Sequence, residues 1–505
     1  MALRQGLIFG LSAVLAGGPA LAQPPQPKAP PPPRAKPAGM RAAERPPAMG
    51  PRTLAEALAA AYSNNPTLQA SRAQLRAVDE NVPQALAGWR PTVVLSGTGG
   101  VGDGMSRSYI TTPITDPITG QTVNGGRTSN QRADRLLGTA QATITQPVYN
   151  GGRTRASTNR AESQVMAQRG LLIAQEQTTF MDTVNAYVGV IQAQQILALN
   201  INNEQVLSRQ LQATNDRFRV GEITRTDVAQ AEAALAGATA QRQTSEGNVA
   251  TARATYQRVV GFLPPADLVE PQPLKLPVRN QQQANALAAA NNPNVVSAQF
   301  NDAAARDAVD VAYSSLMPQV SLQGQAFQQN NASLPRNTNN GAQLVATLSV
   351  PLYQGGAEYS AVRQARQQEQ QTRKQLDDAR RQAIQQATQA WETLVAARST
   401  AESTRSQIRA NSIALEGVER EAIVGSRTTL DVLNAQQALL NSQVTLVQNL
   451  ANLVTASYTV ASAIGRLTAR DLNLPVPIYD ETAYYNAVRN KWFGLGDYAT
   501  DQPGR

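Results

Sequence analysis

The feature that most constrains the fold is a seven-residue repeat of small and apolar residues between Leu376 and Ala422. The repeat belongs to a helical pattern that starts at residue 357, and residues 357–416 contain neither Pro nor Gly. One seam of the repeat consists of Ala387, Leu394, Ala401, Ile408, Leu415 and Ala422. The other consists of Leu376, Ala383, Ala390, Ala397 and Val418, with Thr404 and Asn411 as polar interruptions. Such a heptad predicts coiled-coil packing, and about 65 helical residues at ~1.5 Å each form a rod of roughly 100 Å.

The chain contains this pattern twice. The segments Q-P-V-Y-N-G-G and V-P-L-Y-Q-G-G each precede a long helical pattern, and each pattern ends in a V-G turn. Three pairs are 204 residues apart: Pro147 and Pro351, Gly221 and Gly425, Asp227 and Asp431. Two upstream pairs, the N-N-P motifs at Asn64 and Asn291 and the prolines Pro91 and Pro318, are 227 apart. The change of offset indicates a 23-residue insertion in the first copy. We therefore predict structural repeats at residues 53–261 and 281–466, a linker at 262–280 and a C-terminal segment at 467–505.

The N-terminus has the features of a secretion signal, which we place at residues 1–22. Arg4 supplies the positive charge, residues 6–16 form a short apolar run, and A-L-A at residues 20–22 fits a cleavage site. A retained N-terminal anchor is the alternative. Residues 23–52 are rich in Pro, Lys and Arg, so we expect an extended, poorly ordered leader.

Each repeat also contains two segments in which apolar and polar residues alternate. They lie near residues 92–98 and 139–145 in the first repeat and near 320–326 and 342–350 in the second. This period predicts strands with one apolar face, joined by a long loop at 103–134 and a shorter one at 328–340. Their length suits tilted membrane-spanning strands, although a water-soluble hairpin with one polar face is the alternative. The aromatics at the helix-side ends of the strands, where a membrane-interface girdle is expected, are Trp89, Tyr149 and Tyr353.

One chain alone cannot pair the edges of a membrane-spanning sheet or enclose a hollow cylinder of helices. Four strands cannot close a barrel, and a bilayer tolerates no open sheet edge, so two copies with eight strands or three with twelve are required. The shorter helical segments are about half the length of the long ones, which predicts that they stack end to end in columns of equal height. Their mostly polar surfaces favour a hollow cylinder, with residues 262–280 and 467–505 forming a belt around its middle.

Composition excludes several classes of function. The chain has no His and no Cys, so imidazole catalysis, Ser-His-Asp arrangements, His-ligated metals and thiolate zinc sites are impossible, and we expect no cofactor. Asp377 and Asp378 are adjacent on a helix and point in different directions, which does not support a carboxylate-pair hydrolase. The net charge is +9, but the basic residues are dispersed, so we predict no nucleic-acid binding.

In combination, the repeated N-N-P, the P-x-Y-x-G-G segments and the two V-G tips resemble those of the TolC family of outer-membrane efflux and secretion ducts. The resemblance covers about residues 53–466. It implies a mixed α and β membrane protein: a homotrimer with a 12-stranded outer-membrane β-barrel continued by a 12-helix periplasmic α-barrel, in a Gram-negative bacterium. It also implies docking to an inner-membrane ABC or RND pump through a periplasmic adaptor. The missing Cys favours the TolC-like, type I secretion subgroup. A periplasmic coiled-coil scaffold without a membrane barrel is the alternative.

The resemblance also implies functional residues at the two helical tips. The adaptor-docking turns correspond to Val220, Gly221, Glu222, Val424, Gly425 and Ser426. Arg427 matches a family arginine that ties neighbouring helices together, with Thr226 and Asp227 as its expected partners. Asp431 matches an entrance carboxylate, whose ring would attract cations. Two family gate positions differ here, with Asn434 in place of a second acidic ring and Ala422 in place of a tyrosine. Asp227 and Asp431 are alternatively explained as acids at helix N-termini.

Overall fold

The computed structural model describes residues 50–331 and 337–496. The predicted secretion signal at residues 1–22 and nearly all of the leader at 23–52 lie outside this range. The first repeat contains α1 (Leu54–Asn64), α2 (Pro66–Asp79), α3 (Asn81–Leu86), β1 (Thr92–Thr115), β2 (Thr122–Asn150), α4 (Arg153–Arg219) and α5 (Arg225–Val260). The second contains α6 (Gln281–Asn291), α7 (Pro293–Tyr313), β3 (Gln319–Asn330), β4 (Thr338–Ser349), α8 (Ala357–Ile423) and α9 (Thr429–Ala463). The short α10 (Ala483–Val488) follows in the C-terminal segment.

The strands form one antiparallel sheet in the order β1-β2-β3-β4. Successive residues alternate between its faces, so the register places one apolar set together. Its members are Val93, Leu95, Ala142, Ile144, Val320, Leu322, Leu344 and Leu348. The opposite face is largely polar, as the alternation predicted. Within the described chain, β1 and β4 each have a single neighbouring strand, which leaves two unpaired sheet edges.

The predicted loop at residues 103–134 is wrong. β1 and β2 continue through it as paired strands of 24 and 29 residues, with Asp103 opposite Asp134. The reversal is a short turn after Asp116, whose carboxylate accepts hydrogen bonds from the Ile118 amide (2.9 Å) and the Thr119 hydroxyl (2.7 Å). The Gly and Asn content of this stretch suggested a loop, but its Thr, Ile, Tyr and Val residues favour strands. The second hairpin is shorter, with strands of 12 residues each.

The two long helices, α4 and α8, contain 67 residues each, which corresponds to rods of roughly 100 Å. The predicted seams are buried from Leu376 to Ala401, and Ile408 and Leu415 nearer the tip are partly buried. The two polar interruptions are satisfied by α9. Asn411 Nδ2 donates to the Ala438 carbonyl (3.2 Å), and Thr404 Oγ1 accepts from Asn449 Nδ2 (2.9 Å). The heptad prediction is therefore confirmed.

The half-length helices stack end to end at the N-N-P motifs, as predicted. Asn65 Oδ1 accepts from the amides of Thr67 and Leu68 at the start of α2, while its Nδ2 donates to the Val259 carbonyl at the end of α5 (3.1 Å). In the second repeat, Asn292 Oδ1 accepts from the Asn294 amide and its Nδ2 donates to the Ala463 carbonyl of α9 (3.2 Å). One buried amide thus caps the N-terminus of one helix and the C-terminus of another.

The largest core lies beside the middle of α4. It includes Phe180, Tyr187 and Tyr256, and the linker joins it through Leu268, Leu274 and Leu276. Leu467, Ala469, Leu474 and Tyr479 of the C-terminal segment also belong to it. The predicted position partway along the rods therefore holds for the linker and for the start of the C-terminal segment. It is wrong for the end of that segment, because Lys491 reaches Arg90 at the base of β1.

Candidate functional site at the helical tips

The end of each repeat farthest from the strands is a tight turn with the same backbone in both copies. α4 ends at Arg219, Val220 is its C-cap, and Gly221 adopts a φ of +80°. Its amide donates to the Phe218 carbonyl (3.0 Å), and the Glu222 amide donates to the Arg217 carbonyl (3.0 Å). In the second repeat the φ of Gly425 is +78°, and the equivalent bonds run from Gly425 to Ala422 (3.3 Å) and from Ser426 to Glu421 (3.0 Å). Both turns are Schellman motifs, which need a residue that tolerates positive φ.

Each turn leads into a capping box at the start of the next helix. Thr224 donates from its amide (3.0 Å) and its hydroxyl (2.7 Å) to Asp227 Oδ2, and the Asp227 amide donates back to Thr224 Oγ1. Thr428 and Asp431 form the same bonds at 3.0 and 2.8 Å. The hydroxyl of Thr224 and the amide of Thr428 are the main causes that hold the pKa of Asp227 and of Asp431 below the usual range. Both carboxylates are therefore helix-capping anions.

The tips differ in their charged contacts. At the first tip, Arg217 Nη2 lies 2.5 Å from Glu222 Oε1. At the second, Glu421 occupies the position equivalent to Arg217, and it accepts from Arg427 Nε at 2.8 Å. The ion pair that crosses the turn therefore has the opposite polarity in the two repeats. Neither pair was predicted from the sequence, although oppositely charged residues five or six positions apart around a V-G turn are a visible signal.

The predicted gate residues lie at or near the tips, but not all of them touch within the chain. Within the chain Arg427 donates to Glu421, and its expected pairing with Thr226 or Asp227 stays a prediction. Thr226 and Asn434 are exposed, and Asp431 is partly exposed. The docking turns present apolar side chains to the surface, since Val220 is 79% and Val424 78% exposed.

At the other end of the molecule, the three predicted interface aromatics lie next to the strands. Trp89 lies three residues before β1, Tyr149 lies near the end of β2 and Tyr353 follows β4. All three rings are exposed in the single chain. The Trp89 carbonyl accepts from Gln146 Nε2 (3.0 Å), which fixes the start of β1 against β2. Contact of these three rings with lipid stays a prediction.

Across residues 50–331 and 337–496, the acidic side chains form no cluster suited to hold a metal ion. Over the same residues, none of the helices combines the length and apolar content needed to cross a bilayer.

Two repeats with paired hairpins at one end and tight helical tips at the other define the class of channel subunits that span the periplasm from the outer membrane. The model of the outer membrane efflux protein family matches residues 57–261 and 285–466, and the chain belongs to this family. It is accordingly an outer-membrane transport protein of a Gram-negative bacterium with a large periplasmic part, and not an enzyme.

Known relatives and structures agree with this assignment. The outer membrane efflux protein BepC of Brucella suis biovar 1 (strain 1330) is 37% identical over 444 residues, which cover 88% of this chain and 92% of BepC. The outer membrane protein TolC of Escherichia coli (strain K12) is 26% identical over 349 residues, covering 66% and 70%. A crystal structure of CusC superposes with a TM-score of 0.69 at 15% identity, covering 82% of this chain and 92% of that one, which shows a shared fold.

Proposed function

We propose that three copies of this chain form a passive duct through which an inner-membrane pump exports its cargo. The observation that carries the proposal is the four-stranded sheet with two unpaired edges and one exposed apolar face. Pairing β4 of each copy with β1 of the next would remove every edge, and three copies would give a twelve-stranded barrel. The α4–α5 and α8–α9 columns would then continue the barrel as a tunnel of twelve helical columns.

The surface between the long helices supports a water-filled tunnel. A groove between α4, α8 and α9 is lined by amides, hydroxyls and alanine methyls, with no charged side chain in its lining. Its polar members include Gln177, Gln386, Gln389, Thr393, Asn449, Asn452 and Thr455. Such a wall hydrates a passage without binding an ionic cargo strongly, which suits a duct that serves a separate, energised pump.

The tips then have two roles. Val220, Gly221 and Glu222 with Val424, Gly425 and Ser426 form turns with exposed apolar residues, to which a periplasmic adaptor docks. Arg427, Asp431, Thr226 and Asp227 close the entrance when neighbouring copies bring their tips together. Asp431 contributes one carboxylate per copy to a cation-attracting ring, which the exposed Asn434 does not reinforce.

The partner is an inner-membrane ABC or RND pump. BepC is described as an efflux protein, which supports small-molecule efflux, whereas the missing cysteines support type I protein secretion. Loss of the gene tests the choice: increased sensitivity to drugs and detergents supports efflux, whereas loss of one secreted protein without such sensitivity supports secretion.

Conductance in planar bilayers tests the duct. Purified protein should give stepwise pores. Leu344→Arg places a charge on the apolar face and should abolish insertion, because an arginine facing lipid costs about 2–4 kcal/mol at the bilayer midplane. The neighbouring Gln343→Arg points to the polar face and should still insert. Equal behaviour of the two variants, or a preparation that never conducts, would contradict the proposal.

A periplasmic scaffold is the competing function. It uses the same rods but needs no lipid around the sheet. Carbonate extraction separates the two, because a barrel stays with outer membranes while a scaffold is washed off.

A further inference from the structure

The C-terminal segment carries a cluster of exposed large apolar residues that the duct does not use. Trp492 is 65% and Phe493 90% exposed, and Leu495 next to them is fully exposed. A contiguous exposed cluster of this kind marks a contact with lipid or with protein. The position of this cluster in the fold indicates which of the two it contacts.

A charged stripe on α4 guides the segment toward the strands. Glu176, Arg169 and Glu162 are spaced seven residues apart, so they lie along one side of the helix. Glu176 accepts from the Ala469 amide (2.6 Å), Arg169 donates to the Glu481 carbonyl (3.4 Å), and Glu162 accepts from Arg489 (2.8 Å). The three contacts follow the segment over 14 residues of α4, or about 21 Å of rise toward the sheet.

The last described part of the segment is fixed at the base of the sheet. Arg90 Nη1 donates to the Lys491 carbonyl (2.5 Å), and the guanidinium carbon of Arg90 lies 5.1 Å from the centre of the Trp492 ring. Arg90 stands between Trp89 and the first strand, which begins at Thr92. The apolar cluster is therefore level with the aromatics at the helix-side ends of the strands.

We propose that residues 492–495 lie in the periplasm-facing interface of the outer membrane, as a second lipid contact beside the barrel. This inference rests on the proposed barrel, which sets the height of the membrane. The composition fits a lipid surface, because Trp prefers the interface, Phe and Leu enter the acyl region, and Arg and Lys reach the headgroups. The position is continuous with the predicted girdle of Trp89, Tyr149 and Tyr353.

Fluorescence of single tryptophans tests this inference in the full chain, which has three: Trp89, Trp391 and Trp492. Conservative Trp→Phe changes at two positions leave one reporter in each variant. Each variant is reconstituted into phospholipid vesicles, with or without lipids brominated near the headgroup end of their acyl chains, and acrylamide reports access to water. Trp391, in the middle of the long helix α8, is the control that should stay unaffected by brominated lipid.

We expect Trp492 to be quenched by brominated lipid within about twofold of Trp89, and to be shielded from acrylamide on reconstitution. If Trp89 is quenched and Trp492 stays open to acrylamide, the segment is solvated and the inference is wrong. If Trp492 is shielded but insensitive to bromine, a neighbouring subunit covers it, which also overturns the inference. If brominated lipid quenches neither Trp89 nor Trp492, the proposal of a membrane-embedded barrel is itself wrong.

Discussion

The two helical tips share a backbone and differ in charge. Both combine a Schellman turn at a glycine with a Thr–Asp capping box, yet Arg217–Glu222 crosses the first tip and Glu421–Arg427, with reversed polarity, crosses the second. The comparison separates two kinds of contact. Contacts that join helices have been kept in both repeats, whereas contacts of charged side chains have diverged. Substitutions of residues that join two helices should therefore have equal effects in the two repeats. Substitutions of charged residues should have unequal effects.

The largest equal effect is expected at the buried asparagines that join stacked helices. Asn65→Ala and Asn292→Ala each remove a helix cap and a bond to the last-turn carbonyl of the helix stacked against it, so each should lower the free energy of unfolding by about 2 kcal/mol. Thermal or denaturant unfolding measures this. The exposed neighbours Asn64→Ala and Asn291→Ala are the controls and should change it by less than about 0.5 kcal/mol. A large effect in only one repeat would contradict the shared joint.

A second equal effect is expected at the tip glycines. Gly221→Ala and Gly425→Ala force a side chain into positive φ, which costs about 1–2 kcal/mol at the turn. Export should fall in both variants, measured as drug sensitivity of cells that carry them. Gly237→Ala and Gly417→Ala lie within helices, where no atom within 4 Å opposes a methyl group. Loss of export in these controls would show that the effect does not depend on the positive φ of the turn glycines.

The first unequal effect concerns the charged stripe of α4, because its two glutamates correspond to arginines in α8. α8 carries Arg380 where α4 carries Glu176. Burial raises the pKa of Glu176 to about 7, so the docked segment is stabilised when Glu176 is protonated, and this contribution is lost as the pH rises through about 7. Between pH 5.5 and 8 the ionisation of Glu176 should lower the free energy of unfolding by about 2 kcal/mol.

Glu176→Gln stays uncharged and should flatten much of this pH dependence in unfolding experiments. Burial also raises the pKa of Asp79 to about 7, so the variant should keep the part of the pH dependence that Asp79 causes. An unchanged pH profile in Glu176→Gln would show that the stripe does not hold the segment through Glu176.

The tip ion pairs give a second unequal effect. Arg427→Glu leaves two like charges at the second tip and should raise the open fraction of single channels. The exchange Glu421→Arg with Arg427→Glu restores the pair within the chain but removes the cation from position 427, so an entrance closed by Arg427 across neighbouring copies should stay open. The same exchange of Arg217 and Glu222 serves as the control at the first tip. If the exchanged second tip returns to the closed state, the pair within the chain closes the entrance, and the proposed contact of Arg427 with Thr226 or Asp227 is wrong.

The smallest effect is expected from the capping carboxylates. Asp431→Asn keeps a hydrogen-bond acceptor and removes the charge, so the channel should lose part of its preference for cations, measured as a reversal potential in a salt gradient. Asp227→Asn should shift it less. Because hydrogen bonds lower the pKa of Asp431, the wild-type preference should be constant between pH 5 and 8. Equal shifts of the reversal potential in the two variants would show that Asp431 does not contribute more than Asp227 to the cation preference.

Local patterns predicted the parts of the fold that local interactions determine. The heptad from Leu376 to Ala401 is buried as expected, and the N-N-P motifs mark the joints between stacked helices. The hairpin at residues 103–134 was missed, because Gly and Asn suggested a loop and only pairing with the opposite strand reveals the register. The contact of Lys491 with Arg90 spans 401 positions of sequence, and no periodic signal announces it.

The site was predictable in position but not in its contacts. Valine and glycine at each tip and an acid six positions after the glycine are visible in the sequence. The choice of Glu421 as the partner of Arg427 depends on how side chains meet across a three-dimensional turn, which spacing alone does not determine.

The central claim is that β4 of one copy pairs with β1 of the next until three copies close a ring. The chain has no cysteine, so pairs of introduced cysteines, one along each of these edge strands, report the contact without interference. Pairs placed on β2 and β3 are the control and should link only within one chain. Oxidation in native membranes should give covalent dimers and trimers and nothing larger. Monomers at every pair of edge positions, or ladders beyond three chains, would contradict the ring.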